Sequence, residues 1–164
     1  MKKIYLADKK HFAIVDDTDF DLVRDYSWYE THGYAYTKIT THIKRPKQYS
    51  LAMHRLIMGL KKGEGQIDHV NRNGLDNRRE NLRTCTTSLN AANRKVYPKK
   101  YKEIKFKGVY FEKTMKRLKR WRARIEVNRN KIDLGMFLTQ EEAAKAYNNA
   151  AIKYFGGFAR LNPI

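Results

Sequence analysis

The first third of the chain consists of short runs of β-branched and aromatic residues separated by polar turns. This pattern predicts strands at residues 4–6, 12–15, 34–36 and 49–51. Residues 19–23 are predicted to form a short helix, and Trp28 is expected to lie in the core. Residues 52–60 have apolar side chains at helical spacing and end at a glycine, which predicts a helix. We expect His54, within that helix, to be structural or to support a neighbouring site residue.

The middle of the chain, residues 64–95, is predicted to fold as strand, loop, strand and helix. Residues 66–69 and 81–84 are the predicted strands, and the loop between them is rich in asparagine and glycine. Three hydroxyl residues at 86–88 can cap the helix that follows. That helix carries Asn90 and Asn93 about one turn apart.

Polar residues in this middle segment suggest a metal beside a general base. Asp68 offers the hard anionic oxygen that Mg²⁺ prefers, and Asn90 can add an amide oxygen. His69, in its neutral form, can accept a proton near neutral pH. Asn93 is the rival of Asn90. Such residues would more often belong to turns and caps when taken singly, but together they indicate catalysis.

The last third of the chain is predicted to be a three-stranded meander followed by a helix. Strands are predicted at residues 107–111, 120–127 and 131–137. In the second strand apolar side chains alternate with Arg122 and Arg124, so the two arginines share one face. Thr139 and Glu142 form a capping box that opens a helix through about Phe155. Small alanines on this helix are expected to face the sheet.

The charge of the chain indicates a polyanionic partner. The formal net charge is +18, and residues 94–131 hold sixteen Lys or Arg against three Glu. Residues 98–104 are predicted to be a basic linker. A single cysteine excludes a disulfide framework, and no apolar run approaches the ~20 residues of a membrane span. We therefore expect a soluble, cytoplasmic protein of a bacterial or phage-infected cell, without membrane contact and more often monomeric than dimeric.

Asp68, His69, Asn81 and Asn90 stand at spacings that resemble the HNH, or ββα-metal, motif of phage and intron-encoded homing endonucleases. The resemblance implies Mg²⁺, or another divalent cation such as Mn²⁺, as the only cofactor. It implies Asp68 and Asn90 as metal ligands, His69 as the base, and Asn81 as the residue that orients the histidine or the loop. The founding motif ends in histidine, where this chain has asparagine.

Residues 105–163 resemble the Apetala-two/ethylene-response-factor DNA-binding domain. The matching positions include Trp121, Leu134-Gly135, Glu141-Glu142-Ala143-Ala144 and Phe155-Gly156. That family places its sheet in the major groove of double-stranded DNA, which implies the same partner here. Members often carry arginine at the position of Tyr110 and tryptophan at that of Asp133, so a different sequence should be read. The predicted DNA contacts of the whole chain are basic: Arg72, Arg78, Arg79, Arg83, Lys107, Arg122, Arg124 and Lys131.

The sequence as a whole predicts an α+β protein of two modules. A β-rich N-terminal segment leads into a ββα-metal unit, giving a nuclease domain at 1–97, and the DNA-binding domain occupies 105–164 as a three-stranded antiparallel sheet on one helix. The predicted function is a metal-dependent DNA endonuclease that nicks at a site read by the second domain. The alternatives are a sequence-specific DNA-binding regulator with a degenerate HNH unit, and an RNA- or ribosome-binding protein.

Overall fold

The computed structural model describes residues 1–41, 47–61, 63–94, 104–112 and 120–164. The chain divides into two compact units, Met1–Cys85 and Thr86–Ile164. Most of the predicted linker, residues 98–103, lies outside the described residues, so the domain boundary predicted at 97 stays a prediction. The fold is mixed α and β, with several small sheets and a C-terminal helix, which confirms the predicted class at that level.

The first unit is built from hairpins joined by two short helices. Its elements in chain order are β1 (Lys2–Tyr5), β2 (Phe12–Val15), α1 (Phe20–Val23), β3 (Tyr29–Thr31), β4 (Tyr34–Thr40), β5 (Gln48–Ala52), α2 (Met53–Ile57), β6 (Gln66–His69) and β7 (Leu82–Cys85). β1 pairs with β2, β4 lies between β3 and β5, and β6 pairs with β7, all antiparallel. Strand β3 has no counterpart among the predicted strands, and α2 is shorter than the predicted helix.

The core of the first unit collects apolar residues from most of these elements. Leu6, Val15, Trp28 and Met53 are almost completely buried. The indole nitrogen of Trp28 donates a hydrogen bond of 2.8 Å to the carbonyl oxygen of Val23, so the polar end of this large side chain is satisfied in the core. The expectation that Trp28 is a core residue is confirmed.

The described residues of the second unit form a three-stranded antiparallel sheet and two α-helices. The elements are α3 (Thr87–Asn93), β8 (Val109–Phe111), β9 (Trp121–Val127), β10 (Asn130–Phe137) and α4 (Gln140–Phe155), and the strand order is β10-β9-β8. Ala123 and Ile125 of β9 are 0% and 2% exposed and belong to clusters that include alanines of α4. The predicted alternation along β9 is confirmed, as is the capping box at Thr139.

Helix α3 is anchored within the second unit. Ala92 packs in the same cluster as Tyr147 and Phe155. The ammonium group of Lys107 donates to the carbonyl oxygens of Ala91 and Ala92 at 3.0 and 2.6 Å, which satisfies two carbonyls at the helix end. The helix that the sequence analysis grouped with the nuclease domain therefore belongs to the second compact unit. None of the helices in the described ranges is long and apolar enough to cross a membrane.

Candidate active site

Strand β6 delivers two adjacent polar residues at its end. Asp68 pairs with Arg83 and His69 with Leu82 across the β6–β7 hairpin. Asp68 is 5% exposed and His69 is 4% exposed. A carboxylate and an imidazole that are this buried need partners, since a polar group left unpaired in the interior is costly.

Asn81 fastens the loop that joins β6 to β7. Its Oδ1 accepts a hydrogen bond of 2.9 Å from the backbone N–H of Asn71, and its Nδ2 donates one of 2.7 Å to the carbonyl oxygen of Asp76. Its own carbonyl accepts from the N–H of Val70 at 2.9 Å. Asn81 thereby ties both ends of the loop beside His69. The loop residue Arg72 is exposed and has a φ of +67°, so the backbone is left-handed at that point.

The imidazole of His69 faces a buried amide. Its Nε2 lies 3.4 Å from Oδ1 of Asn77, which is 0% exposed. Because an amide oxygen only accepts, a hydrogen bond at this contact requires the tautomer with the proton on Nε2. Burial lowers the pKa of His69, while Asn77, Asp68 and Asp76 oppose the shift. The imidazole is therefore neutral at pH 7, the form that can accept a proton.

Two further aromatic rings surround His69. The ring centre of Tyr34, at the start of β4, lies 5.5 Å from that of His69. The ring of His54, in α2, lies 5.2 Å from His69 at an interplanar angle of 89°. The sequence predicts a structural or supporting role for His54 and no role at the site for Tyr34. The contact of Tyr34 with His69 joins residues far apart in sequence, and no local pattern signals it.

Three of the arginines predicted to contact phosphate are bonded to carboxylates in the first unit. Arg78 forms two bonds to Asp76 at 2.8 and 2.7 Å, and Arg79 forms two to Asp19 at 2.8 and 2.7 Å. Arg79 also donates to the carbonyl oxygen of Ile57 at 3.0 Å. These forked pairs match the guanidinium geometry and hold loops together.

The third of these arginines binds a predicted metal ligand. Nε and Nη2 of Arg83 both donate to Oδ2 of Asp68, at 2.9 and 2.7 Å. The guanidinium compensates the charge of the buried carboxylate, which a cation at the same group would also do. The role predicted for Arg83 as a phosphate contact stays a prediction.

The basic residues predicted to read DNA in the second unit divide into two kinds. Arg122 is bonded to Asp133 through Nε at 3.0 Å and through Nη2, and Nη1 lies 3.3 Å from Glu112. The ammonium of Lys107 is bonded to α3, as described above. Arg124 lies on the same face of β9 as Arg122, and Lys131 is exposed on β10 opposite Glu126. The lysines of residues 113–119 lie outside the described residues.

The predicted metal ligands fit a hard divalent cation in chemistry. Among the described residues no group of three or more His, Cys, Asp or Glu could hold a metal ion. Mg²⁺ needs only one or two protein carboxylates, with waters and substrate phosphates completing the shell. Asp68 can supply that carboxylate, and the ligand roles predicted for Asn90 and its rival Asn93 stay predictions. Asn93 is 5% exposed and Asn90 is half-buried.

The β6–β7 hairpin lies within a segment that is similar to known proteins. The family model described as HNH endonuclease matches residues 51–92, from the end of β5 into α3. The chain is also 27% identical over 159 residues to a protein named as an uncharacterized HNH endonuclease of Acanthamoeba polyphaga mimivirus, covering 95% of this chain and 77% of that protein. Both findings support a DNA nuclease. The prediction that the chain is an enzyme, a DNA nuclease, is confirmed.

Proposed function

We propose that this protein is a metal-dependent HNH endonuclease of homing type that nicks double-stranded DNA, with β6, β7 and α3 forming a ββα-metal unit. The observation that carries the proposal is that the matched HNH segment includes Asp68 and His69, two consecutive residues at the end of β6 that are both buried. A net charge of +18 supports a polyanionic substrate.

The proposed chemistry begins with His69. The neutral imidazole accepts a proton from a water molecule as the water oxygen forms a bond to phosphorus. The bond from phosphorus to the departing sugar oxygen breaks, and that oxygen leaves with the electron pair. Asp68 and Asn90 would hold Mg²⁺, which supplies charge neutralisation at the phosphoryl group and the departing oxygen. Asn93 remains the rival of Asn90.

The basic loop beside the hairpin is proposed to hold the DNA backbone. Arg72 is exposed at the loop between β6 and β7, close in sequence to His69. Arg78, Arg79 and Arg83 are bonded to carboxylates, so their positive charge is partly compensated before DNA binds. Because Arg72 is exposed, we expect it to contribute to the salt dependence of DNA binding.

Site recognition is proposed to reside in the second unit. Its sheet packs one face on α4 and turns Arg124 to the other face, an arrangement that suits entry into a major groove. The mimivirus relative aligns over 95% of this chain, so the likeness extends beyond the HNH segment. In this proposal the HNH unit cleaves the DNA and the sheet of the second unit recognises its sequence.

One observation favours a second candidate, a DNA-binding regulator with a degenerate HNH unit. The ion pair between Arg83 and Asp68 compensates the carboxylate without a metal. In a regulator this pair would be permanent and structural. In a nuclease, Arg83→Gln should increase metal affinity, because it removes a competing positive charge.

Incubation of the protein with supercoiled plasmid and Mg²⁺ decides between the two functions. We expect conversion of supercoiled to nicked plasmid, suppression by EDTA and restoration by added Mg²⁺. Wild-type DNA binding without any metal-dependent nicking would establish the regulator. A preference for structured RNA over duplex DNA in competition would contradict both.

A further inference from the structure

The imidazole of His69 is one corner of a closed triangle of aromatic rings. Tyr34 and His54 lie 5.5 and 5.2 Å from it, and they lie 5.6 Å from each other. All three separations fall in the range of favourable aromatic pairs, which extends from about 4.5 to about 7 Å. Each ring therefore contacts the other two, and none of them can rotate far without losing a contact.

The loop that follows His69 is fitted against the hairpin that carries Tyr34. A Cβ atom added at Gly74 would lie 2.4 Å from the carbonyl oxygen of Gly33 and 2.5 Å from Cδ1 of Tyr34. Gly33 and Tyr34 span the turn between β3 and β4. Only a residue without a side chain allows this approach, so the loop and the hairpin interlock at Gly74.

A general base must be deprotonated, and its accepting atom must also be oriented toward the proton that it removes. The terminal torsion of a histidine side chain has broad preferences, so packing or hydrogen bonding must select the ring orientation. The bond between His69 and Asn77 is long at 3.4 Å and restrains the ring weakly. Ring contacts on two sides restrict the same torsion, because rotation would drive the imidazole into a neighbouring ring.

A histidine in this triangle of rings lowers the stability of the fold, which is not expected if the cluster serves packing alone. Within the described part of the chain, the buried Nδ1 of His54 has no hydrogen-bond partner. An unsatisfied buried polar atom destabilises the folded state, and an apolar side chain in α2 would avoid this cost. Such a cost is typical of sites where geometry matters more than stability.

We propose that Tyr34 and His54 are positioning residues that hold the imidazole of His69 in the orientation required for proton transfer. The β3–β4 hairpin thereby becomes part of the catalytic apparatus, supplying Tyr34 from outside the matched HNH segment. This inference rests on the proposed role of His69 as the general base.

The test compares variants of Tyr34 and Gly74 in the full-length protein. Tyr34→Ala should lower kcat for plasmid nicking by ~10- to 100-fold, the range expected when a reacting group is slightly misplaced, with KM and DNA affinity nearly unchanged. Tyr34→Phe keeps the ring and should restore most of that rate. Gly74→Ala should reproduce the defect of Tyr34→Ala, because the added methyl group pushes the hairpin away. Tyr49→Ala, an exposed tyrosine in the same sheet, is the matched control.

Several results would overturn the inference. Wild-type kcat in both Tyr34→Ala and Gly74→Ala would show that His69 needs no aromatic support. A rise in KM at constant kcat would make Tyr34 a DNA contact instead. Equal defects in Tyr34→Phe and Tyr34→Ala would assign the role to the hydroxyl group. If Tyr34→Ala does not fold, Tyr34→Leu keeps an apolar side chain without the ring and should show the same loss of kcat.

A spectroscopic measurement separates this inference from the proposed function. The ring protons of His69 should shift in the NMR spectrum of Tyr34→Leu, because the ring current of Tyr34 is removed, whether or not the protein cuts DNA. Unshifted resonances would contradict the packing itself. If the wild-type protein never nicks DNA, the proposed function is wrong and the ring contacts have no catalytic role. A shift of the His69 resonances in Tyr34→Leu would still confirm that the rings are in contact.

Discussion

Replacing His54 by phenylalanine should make the protein more resistant to acid. Burial is the main cause that lowers the pKa of His54 to about 3, and His69 and Arg55 lower it further. In the unfolded chain the same imidazole titrates near ~6.5. The unfolded state therefore binds this proton more readily than the folded state between these values, and stability falls as the pH falls from about 6.5 towards about 3.

The size of the effect follows from the two pKa values. Between about pH 7 and about pH 5, one group with pKa values of ~6.5 unfolded and ~3 folded destabilises the fold by about 2 kcal/mol. Phenylalanine does not titrate, so the variant lacks this contribution. His69 also has a lowered pKa, but it is present in both proteins and cancels in the difference.

Urea denaturation at a series of pH values measures the free energy of unfolding of both proteins. The informative quantity is the change with pH in the difference between the two free energies of unfolding. A difference that is the same at every pH reports only how well the larger phenylalanine ring packs. His11→Phe is a control of opposite sign, since Asp8 raises the pKa of the exposed His11 and any stabilisation is lost as the pH rises. Parallel curves for wild type and His54→Phe would refute the reasoning that His54 is buried and neutral.

Other predictions concern the arginines. Arg79→Ala should lower the free energy of unfolding by about 2–3 kcal/mol. The loss is smaller than for a fully buried ion pair, because the guanidinium is half exposed while its carboxylate partner is buried. A fall in DNA affinity at unchanged stability would contradict this prediction. Arg72→Ala should reduce the salt slope of DNA binding by ~0.9, measured by titration at several salt concentrations, and an unchanged slope would exclude a phosphate contact. Arg124→Ala should blur the mapped nicking sites more than Arg122→Ala, because Arg122 is already bonded to Asp133; the reverse order would assign base reading to Arg122.

The hairpin that carries the candidate site could be predicted from the sequence because its signals are local. Residues 66–69 form β6 as predicted, and the asparagine-rich loop follows directly. The alternation along β9 likewise predicted which side chains pack on α4. In each case the pattern of a few neighbouring residues determines the outcome.

The roles of several charged and aromatic residues could not be predicted because they depend on contacts between distant segments. Arg79 binds Asp19, which lies 60 positions earlier in the chain. Tyr34 reaches His69 only because Gly74 admits the β3–β4 turn. A sequence shows that an arginine is charged, but the fold decides whether a carboxylate or a phosphate compensates it.

The single-turnover nicking rate of His69→Ala tests the central claim most directly. The rate should be measured with Mg²⁺ and saturating protein on a plasmid, beside the affinity of the same variant for duplex DNA. We expect a rate ~10²-fold or more below wild type, as for the loss of a general base, with affinity unchanged. His11→Ala, which alters an exposed histidine of the same unit, should cut at the wild-type rate. Full nicking activity in His69→Ala would contradict the proposal that the β6–β7 hairpin carries the catalytic base.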